Sequence, residues 1–166
     1  MNIAIFSPTK NLYSETFIQA HKNNLKGNIF YYYGTGANIK LEGKKDKNAP
    51  KITFLSKLKR KLLNKPYFTL WSKAVLKSLK KNKIQAILVE YGTHANRLLP
   101  VLNELNMPIV VHFHGYDASI TDVIKNCNNY KAVFAVATTV IAVSKVMEKK
   151  LLEMGCPNKK IVYNVY

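Results

Sequence analysis

The sequence Ile-Val-Val-His-Phe-His-Gly-Tyr-Asp-Ala-Ser at residues 109–119 combines an apolar strand pattern with two histidines, a glycine and a carboxylate. Side chains alternate along a strand, so His112 and His114 point to one face of a sheet while Phe113 points to the other. Gly115 follows, and glycine permits a turn that a larger residue would strain. Because open α/β sheets bind ligands beyond the carboxyl ends of their strands, the segment predicts a parallel strand that ends in a binding site.

Outward from this segment, short apolar runs alternate with stretches of helical periodicity. The predicted strands are residues 2–7, 28–33, 84–89, 108–113, 139–143 and 161–163. The predicted helices are residues 14–25, 55–63, 66–82, 93–106 and 144–154, with further helical segments between Gly115 and about residue 137. Residues 37–50 are polar and predict a loop. This alternation predicts an α/β fold: a Rossmann-like, doubly wound, mainly parallel sheet with helices on both faces.

Length and composition are those of one folded domain. The chain has 166 residues, 48% of them hydrophobic, which suffices for a core. No apolar run approaches the roughly 20 residues of a membrane span, and the first residues lack a signal-peptide pattern. We therefore expect a cytoplasmic protein, peripheral at most to the inner face of the cytoplasmic membrane. Cys127 and Cys156 are far apart and predict reduced thiols.

One segment accounts for most of the net charge of +17. Residues 47–89 contain twelve basic residues and no acidic residue. Such a field favours a polyanionic surface, whether anionic lipid, nucleic acid or a phosphorylated substrate. Lysine outnumbers arginine 24 to 2, and base recognition in DNA grooves relies on bidentate arginine. The charge therefore favours an anionic membrane surface and argues against nucleic acid.

The helix predicted at residues 66–82 is amphipathic and basic. Phe68, Trp71, Val75 and Leu79 recur at helical spacing, with lysines on the other faces. Such a helix can pack on the sheet, or it can lie in an anionic leaflet together with its neighbour at residues 55–63. We expect membrane contact, and the residues predicted to make it are Lys57, Lys59, Arg60, Lys61, Phe68, Trp71, Lys73 and Lys77.

Five segments, in this order, resemble the amino-terminal domain of a glycosyltransferase of family 4, a retaining enzyme with the GT-B fold. They are Ser-Glu-Thr-Phe-Ile at 14–18, Glu-Tyr-Gly-Thr at 90–93, His-Phe-His-Gly-Tyr-Asp at 112–117, Val-Ile-Ala-Val-Ser at 140–144 and Gly-Cys-Pro-Asn-Lys-Lys-Ile at 155–161. Together they cover essentially the whole chain. The final Asn-Val-Tyr resembles the approach to the family's Gly-Val-Asp turn, where the crossing to a second domain begins.

The resemblance implies that residues 1–166 form a single acceptor-side domain, and that the carboxy-terminal nucleotide-sugar domain is absent from this chain. The whole enzyme would move a sugar from a nucleotide-sugar donor to a glycan or lipid-linked acceptor with retained configuration, in surface polysaccharide or glycolipid synthesis. It would need no metal or other cofactor. The isolated domain is expected to be inactive, because the missing domain would bind most of the donor.

The resemblance also implies roles for individual residues. His114 is the expected cleft histidine, which would contact the sugar end of the donor and help to position the acceptor; the alternative is a hydrogen-bonded histidine at a strand end. The residues expected to line the acceptor side of the cleft are Glu90, Tyr91, Gly92, Gly115 and Asp117. For Asp117 a turn role is equally open, and for Glu90 and Tyr91 a structural role is equally open.

The first βα loop departs from the family pattern, because many members have a glycine-rich turn there and this chain has no glycine before Gly27. Amides at the start of the first helix can still favour an anion. The residues expected near the donor phosphate are Thr9, Ser14, Glu15 and Thr16. Glu15 has an alternative reading as an ordinary carboxylate at a helix start.

The residues also suggest two competing interpretations. A metal site would use His112 and His114, but two histidines without a nearby third ligand make a weak site, so no metal is predicted. A non-catalytic basic module would bind anionic lipid or nucleic acid through residues 47–83. The distinguishing observation is whether Glu90, His114 and the start of the first helix share one cleft.

Overall fold

A computed structural model of the chain describes residues 1–10, 15–43, 49–63 and 68–165, apart from the side chains of Lys59, Phe68 and Thr69. Within these residues, seven strands form one sheet in the order β3-β2-β1-β4-β5-β6-β7, in which only the β2–β3 pair is antiparallel. The strands are β1 (Asn2–Ser7), β2 (Asn28–Tyr33), β3 (Lys40–Leu41), β4 (Ala86–Glu90), β5 (Ile109–His112), β6 (Thr139–Ala142) and β7 (Ile161–Tyr163). The predicted Rossmann-like α/β class is confirmed.

In the part of the chain that the structure describes, eight α-helices connect and flank these strands. They are α1 (Thr16–Asn24), α2 (Phe54–Leu62), α3 (Phe68–Lys81), α4 (Gly92–Leu102), α5 (Gly115–Ser119), α6 (Thr121–Asn126), α7 (Lys131–Val136) and α8 (Lys145–Glu153). Most predicted elements lie within a few residues of their observed bounds. The polar loop predicted at residues 37–50 is partly wrong, because it contains β3 as an antiparallel edge strand. Residues 44–48 of that loop lie outside the described part of the chain.

The two faces of the sheet are covered by different helices. On one face Ile5 and Leu88 pack with Ile18 of α1. On the other face, Phe6, Val89 and Val111 belong to the larger core, which includes apolar residues of α3, α4, α7 and α8. Burial of alternate strand residues on opposite faces is what the pleat of a strand requires.

Helix α3 belongs to this core, which corrects one prediction. Trp71 is only 8% exposed, and Val75 and Leu79 are buried beside the sheet. Its apolar face is therefore occupied by the protein itself, and Trp71 is not available to a membrane. Lys73 and Lys77 of the same helix are exposed, whereas the side chain of Phe68 lies outside the described set.

The strand order reverses between β1 and β4. From β1 the chain first adds β2 on one side and later continues with β4, β5, β6 and β7 on the other. In open α/β sheets such a reversal leaves a crevice at the carboxyl ends of the two strands, where ligands bind.

Candidate functional site

Strand register brings a carboxylate and two histidines together at the end of β4 and β5. Glu90 is the register partner of His112. The Glu90 Oε2 atom lies 3.1 Å from His112 Nδ1 and 3.2 Å from His114 Nε2. His21 of α1 completes the group, with its Nδ1 atom 2.6 Å from Glu90 Oε1. These four residues are called the Glu90 cluster below.

The electrostatics of the Glu90 cluster favour an ionised carboxylate. Glu90 has no solvent exposure, and burial alone would raise its pKa. Hydrogen bonds from His112, His114 and His21 outweigh burial and hold the pKa of Glu90 well below its usual value. Burial has the opposite effect on a base, so the pKa of His112 is lowered even though Glu90 favours its protonated form. The cluster therefore holds a buried negative charge among imidazoles.

Aromatic rings enclose most of His114. Its ring centroid lies 4.3 Å from that of Phe17 and 4.4 Å from those of Tyr91 and His112. His114 is 8% exposed, so only an edge of the imidazole reaches solvent. His21 is the more open member of the cluster, with 22% of its side chain exposed.

A second group of side chains links the loop after β1 to the end of β4. The Tyr91 hydroxyl donates to Glu15 Oε1 at 2.9 Å, and the Thr9 hydroxyl donates to Glu15 Oε2 at 2.5 Å. Burial, together with Glu15, raises the pKa of Tyr91, so the phenol keeps its proton. Tyr91 has a φ of +72°, a conformation that costs energy in residues other than glycine and often occurs at functional sites.

Thr9, Glu15 and Tyr91 therefore lie together next to the Glu90 cluster, since Tyr91 packs on His114. Thr16 begins α1 and is exposed. Ser14, also predicted near the donor phosphate, lies outside the described residues. The start of α1, Glu90 and His114 thus converge at the reversal of strand order, as the enzyme interpretation required.

Asp117 and Gly92 have structural roles, which corrects their predicted contact with an acceptor. Asp117 is fully buried, and its carboxylate accepts hydrogen bonds from the amides of Gly92, Thr93 and His114 at 2.9–3.1 Å. A Cβ atom at Gly92 would come within 2.3 Å of the Phe113 ring. Asp117 therefore joins the start of α4 to the turn after β5, and Gly92 permits their close approach.

Gly115 lies in the turn after β5, and its contact with an acceptor stays a prediction. It is exposed at the start of α5, and a Cβ atom there would have no neighbour within 4 Å. Space beside this turn is open, next to the fixed backbone of His114.

His21 was not among the predicted site residues, although a signal for it existed. It lies on the same side of the first helix as Phe17 and Ile18, where an inward-facing histidine beside apolar residues is a candidate for a buried polar contact. A metal site was not predicted because a third ligand near the two histidines was missing. The structure supplies one, since His21, Glu90 and His112 offer ligand atoms that all lie within 4.8 Å of one another.

Helix α2 differs from α3 in leaving its apolar face uncovered. Phe54 is 80% exposed and Leu62 76% exposed, and Leu55 and Leu58 between them are also exposed. Lys57 and Lys61 are exposed on the same helix, whereas Arg60 is half-buried and the side chain of Lys59 is not described. In the described part of the chain, no helix is long and apolar enough to cross a bilayer.

Comparison with protein-family models finds no match, and comparison with curated protein sequences finds none either. Comparison with solved structures finds a similarity to UDP-N-acetylglucosamine 2-epimerase from Rickettsia bellii, with a TM-score of 0.56 and 14% sequence identity. The aligned region covers 98% of this chain and 44% of the epimerase chain, so this chain spans less than half of that protein. The described residues thus share the Rossmann-like α/β fold of the part of that chain with which they align.

Proposed function

We propose that this chain is the acceptor-side domain of a retaining glycosyltransferase of family 4 type. The whole enzyme would transfer a sugar from a nucleotide-sugar donor to a glycan or lipid-linked acceptor, in surface polysaccharide or glycolipid synthesis. The observation that supports this proposal most is the convergence of His114, Glu90 and the start of α1 at the reversal of strand order. The likeness to a sugar-nucleotide epimerase supports the same class of substrate.

In this proposal the exposed edge of His114 meets the sugar at the point of transfer. Glu90 orients the imidazole through the 3.2 Å contact to Nε2, and Phe17 and Tyr91 both pack against the ring. Asp117 fixes the backbone of His114 through its amide. Preorganisation of this kind lowers the cost of holding a reacting group in place.

Binding of the nucleotide-sugar donor requires side chains other than those that form the Glu90 cluster. A nucleotide diphosphate is bound by cationic side chains or by helix amides. At this crevice, the described residues contribute buried carboxylates and the amino-terminal end of α1. We therefore assign the main donor contacts to a second domain, with the amides at the start of α1 near the phosphate.

A membrane contact forms the second part of the proposal, with α2 in place of α3. The exposed face of Phe54, Leu55, Leu58 and Leu62 lies beside basic residues, in a region of sequence without acidic residues. An amphipathic helix of this composition favours the interface of an anionic bilayer. Such a contact would bring the cleft to a lipid-linked acceptor, at the inner face of the cytoplasmic membrane.

Acceptor binding tests the proposed function directly. The probes are polyprenyl-diphosphate-linked monosaccharides and disaccharides in detergent. Their binding is measured by the changes they cause in the amide chemical shifts of the isotope-labelled chain. We expect shifts at the amides of Glu90, Tyr91, His114 and Gly115, and about tenfold weaker binding in His114→Ala. The matched control is Tyr163→Ala on the edge strand β7, which should bind normally. Absence of shifts at these residues, or equal binding by His114→Ala, would contradict the proposal.

A further inference from the structure

The Glu90 cluster has the composition of a transition-metal site. It presents imidazole nitrogens from His21, His112 and His114 to the two oxygens of one carboxylate, at 2.6, 3.1 and 3.2 Å respectively. Two or three imidazoles with one carboxylate are the donors that Zn²⁺ and other late first-row dications prefer. Mg²⁺ and Ca²⁺ prefer sites composed of oxygen atoms.

The surrounding charge favours a cation at this place. Glu15, Glu90 and Asp117 are all buried near Tyr91, and their negative charges act together on its phenol. The sequence has 26 lysines and arginines, yet among the described residues none forms an ion pair with these three carboxylates. Hydrogen bonds from imidazoles, hydroxyls and amides satisfy these carboxylates, and a bound dication would add a full positive charge beside their negative charges.

From these observations we infer that the Glu90 cluster binds a transition-metal dication such as Zn²⁺, with His21 Nδ1, a Glu90 oxygen and His112 Nδ1 as ligands. These atoms all lie within 4.8 Å of one another, so small side-chain rotations bring them to one ion. A tetrahedral ion takes a fourth ligand, which a water molecule supplies. The ion would hold α1 against the ends of β4 and β5, beside the His114 imidazole that Glu90 orients.

Metal binding displaces the hydrogens on the imidazole nitrogens that face Glu90. Because an ionised carboxylate only accepts hydrogen bonds, the imidazole nitrogens that face Glu90 carry the hydrogens in the metal-free protein. An arriving ion takes those positions, so each hydrogen moves to the other ring nitrogen or leaves to solvent. The partly exposed His21 provides the route of entry.

Calorimetric titration of the untagged, chelator-treated chain with Zn²⁺ tests this inference. We expect saturable binding of one equivalent, and no binding of Mg²⁺ at the same concentrations. Replacement of Zn²⁺ by Co²⁺ should give the visible absorption of a tetrahedral cobalt site with nitrogen and oxygen ligands. His21→Gln should weaken Zn²⁺ binding at least tenfold, because one of the three protein ligands is lost.

Two variants keep the test decisive. Asn23→Ala alters an exposed residue of the same helix and should bind Zn²⁺ with unchanged affinity. Glu90→Gln should abolish binding; if that variant does not fold, His21→Gln alone decides the question. Absence of saturable binding, or equal affinity in His21→Gln, would overturn the inference. The readout is metal binding without substrate, so its failure leaves the acceptor test above unaffected.

Discussion

His94 is a fully buried histidine on α4, and neither of its ring nitrogens has a hydrogen-bond partner among the described residues. Burial, with a smaller contribution from Arg97, lowers the pKa of His94 to about 3. In the unfolded chain the same imidazole has a pKa near 6.5. Between these values the unfolded state binds one proton more than the folded state.

This difference predicts a loss of stability on acidification. As pH falls below about 6.5 towards 3, His94 should reduce the free energy of unfolding by up to about 1.4 kcal/mol per pH unit. His94→Leu should remove this contribution, since leucine is apolar and similar in size. Urea unfolding of both proteins between pH 7 and pH 4 measures the effect. Equal pH slopes for the two proteins would show that His94 does not titrate in this way.

Individual site residues were predictable from local sequence only in part. The alternation of His112 and His114, followed by Gly115, identified a strand end with polar groups, and the structure places Glu90 beside both histidines. His21 was missed because its contact with Glu90 spans 69 positions and depends on the rotation of α1 over the sheet. The role of Asp117 required knowledge that α4 begins beside the turn after β5.

Helices α2 and α3 have similar compositions but pack differently. Both helices are amphipathic and rich in lysine, so sequence alone did not establish which of them packs on the sheet. The structure places Trp71, Val75 and Leu79 of α3 in the core and leaves the apolar face of α2 exposed. Packing geometry, which is a property of the assembled sheet, decides between the two.

Membrane binding should therefore depend on α2. The double variant Phe54→Ser/Leu58→Ser should reduce partition onto vesicles containing phosphatidylglycerol at least tenfold, since each apolar side chain contributes about 1 kcal/mol or more when it is buried in the interface. Lys57→Gln/Lys61→Gln should reduce it by about tenfold or more, because each basic residue near an anionic surface contributes about 1 kcal/mol. Vesicle sedimentation measures both effects.

The matched control for these variants is Val146→Ser/Leu152→Ser, which removes two exposed apolar residues from α8. Its partition should equal that of the unmodified chain. Binding that is indifferent to phosphatidylglycerol, or equal loss in the α8 control, would refute a specific contact through α2.

The parallel sheet and its helices followed from the alternation of apolar runs with helical stretches, because a parallel sheet buries both of its faces under helices. The antiparallel edge strand β3 was not predicted, because two residues give no periodic signal. The position of the crevice follows from strand order, since the reversal at β1 and β4 places the start of α1 next to Glu90.

The charge around that crevice leads to a prediction for the chain as a whole. Glu15, Glu90 and Asp117 lie there, and among the described residues no lysine or arginine forms an ion pair with any of them. A nucleotide diphosphate needs cationic or amide donors, and among the described residues beside these carboxylates the start of α1 offers amides. The 166-residue chain alone should therefore bind acceptor but transfer no sugar.

Incubation with labelled nucleotide-sugars and a lipid-linked acceptor should give product at the background level, in a preparation whose acceptor binding confirms its folding. Turnover clearly above background would mean that these residues hold the donor themselves, and the division between two domains would then be wrong.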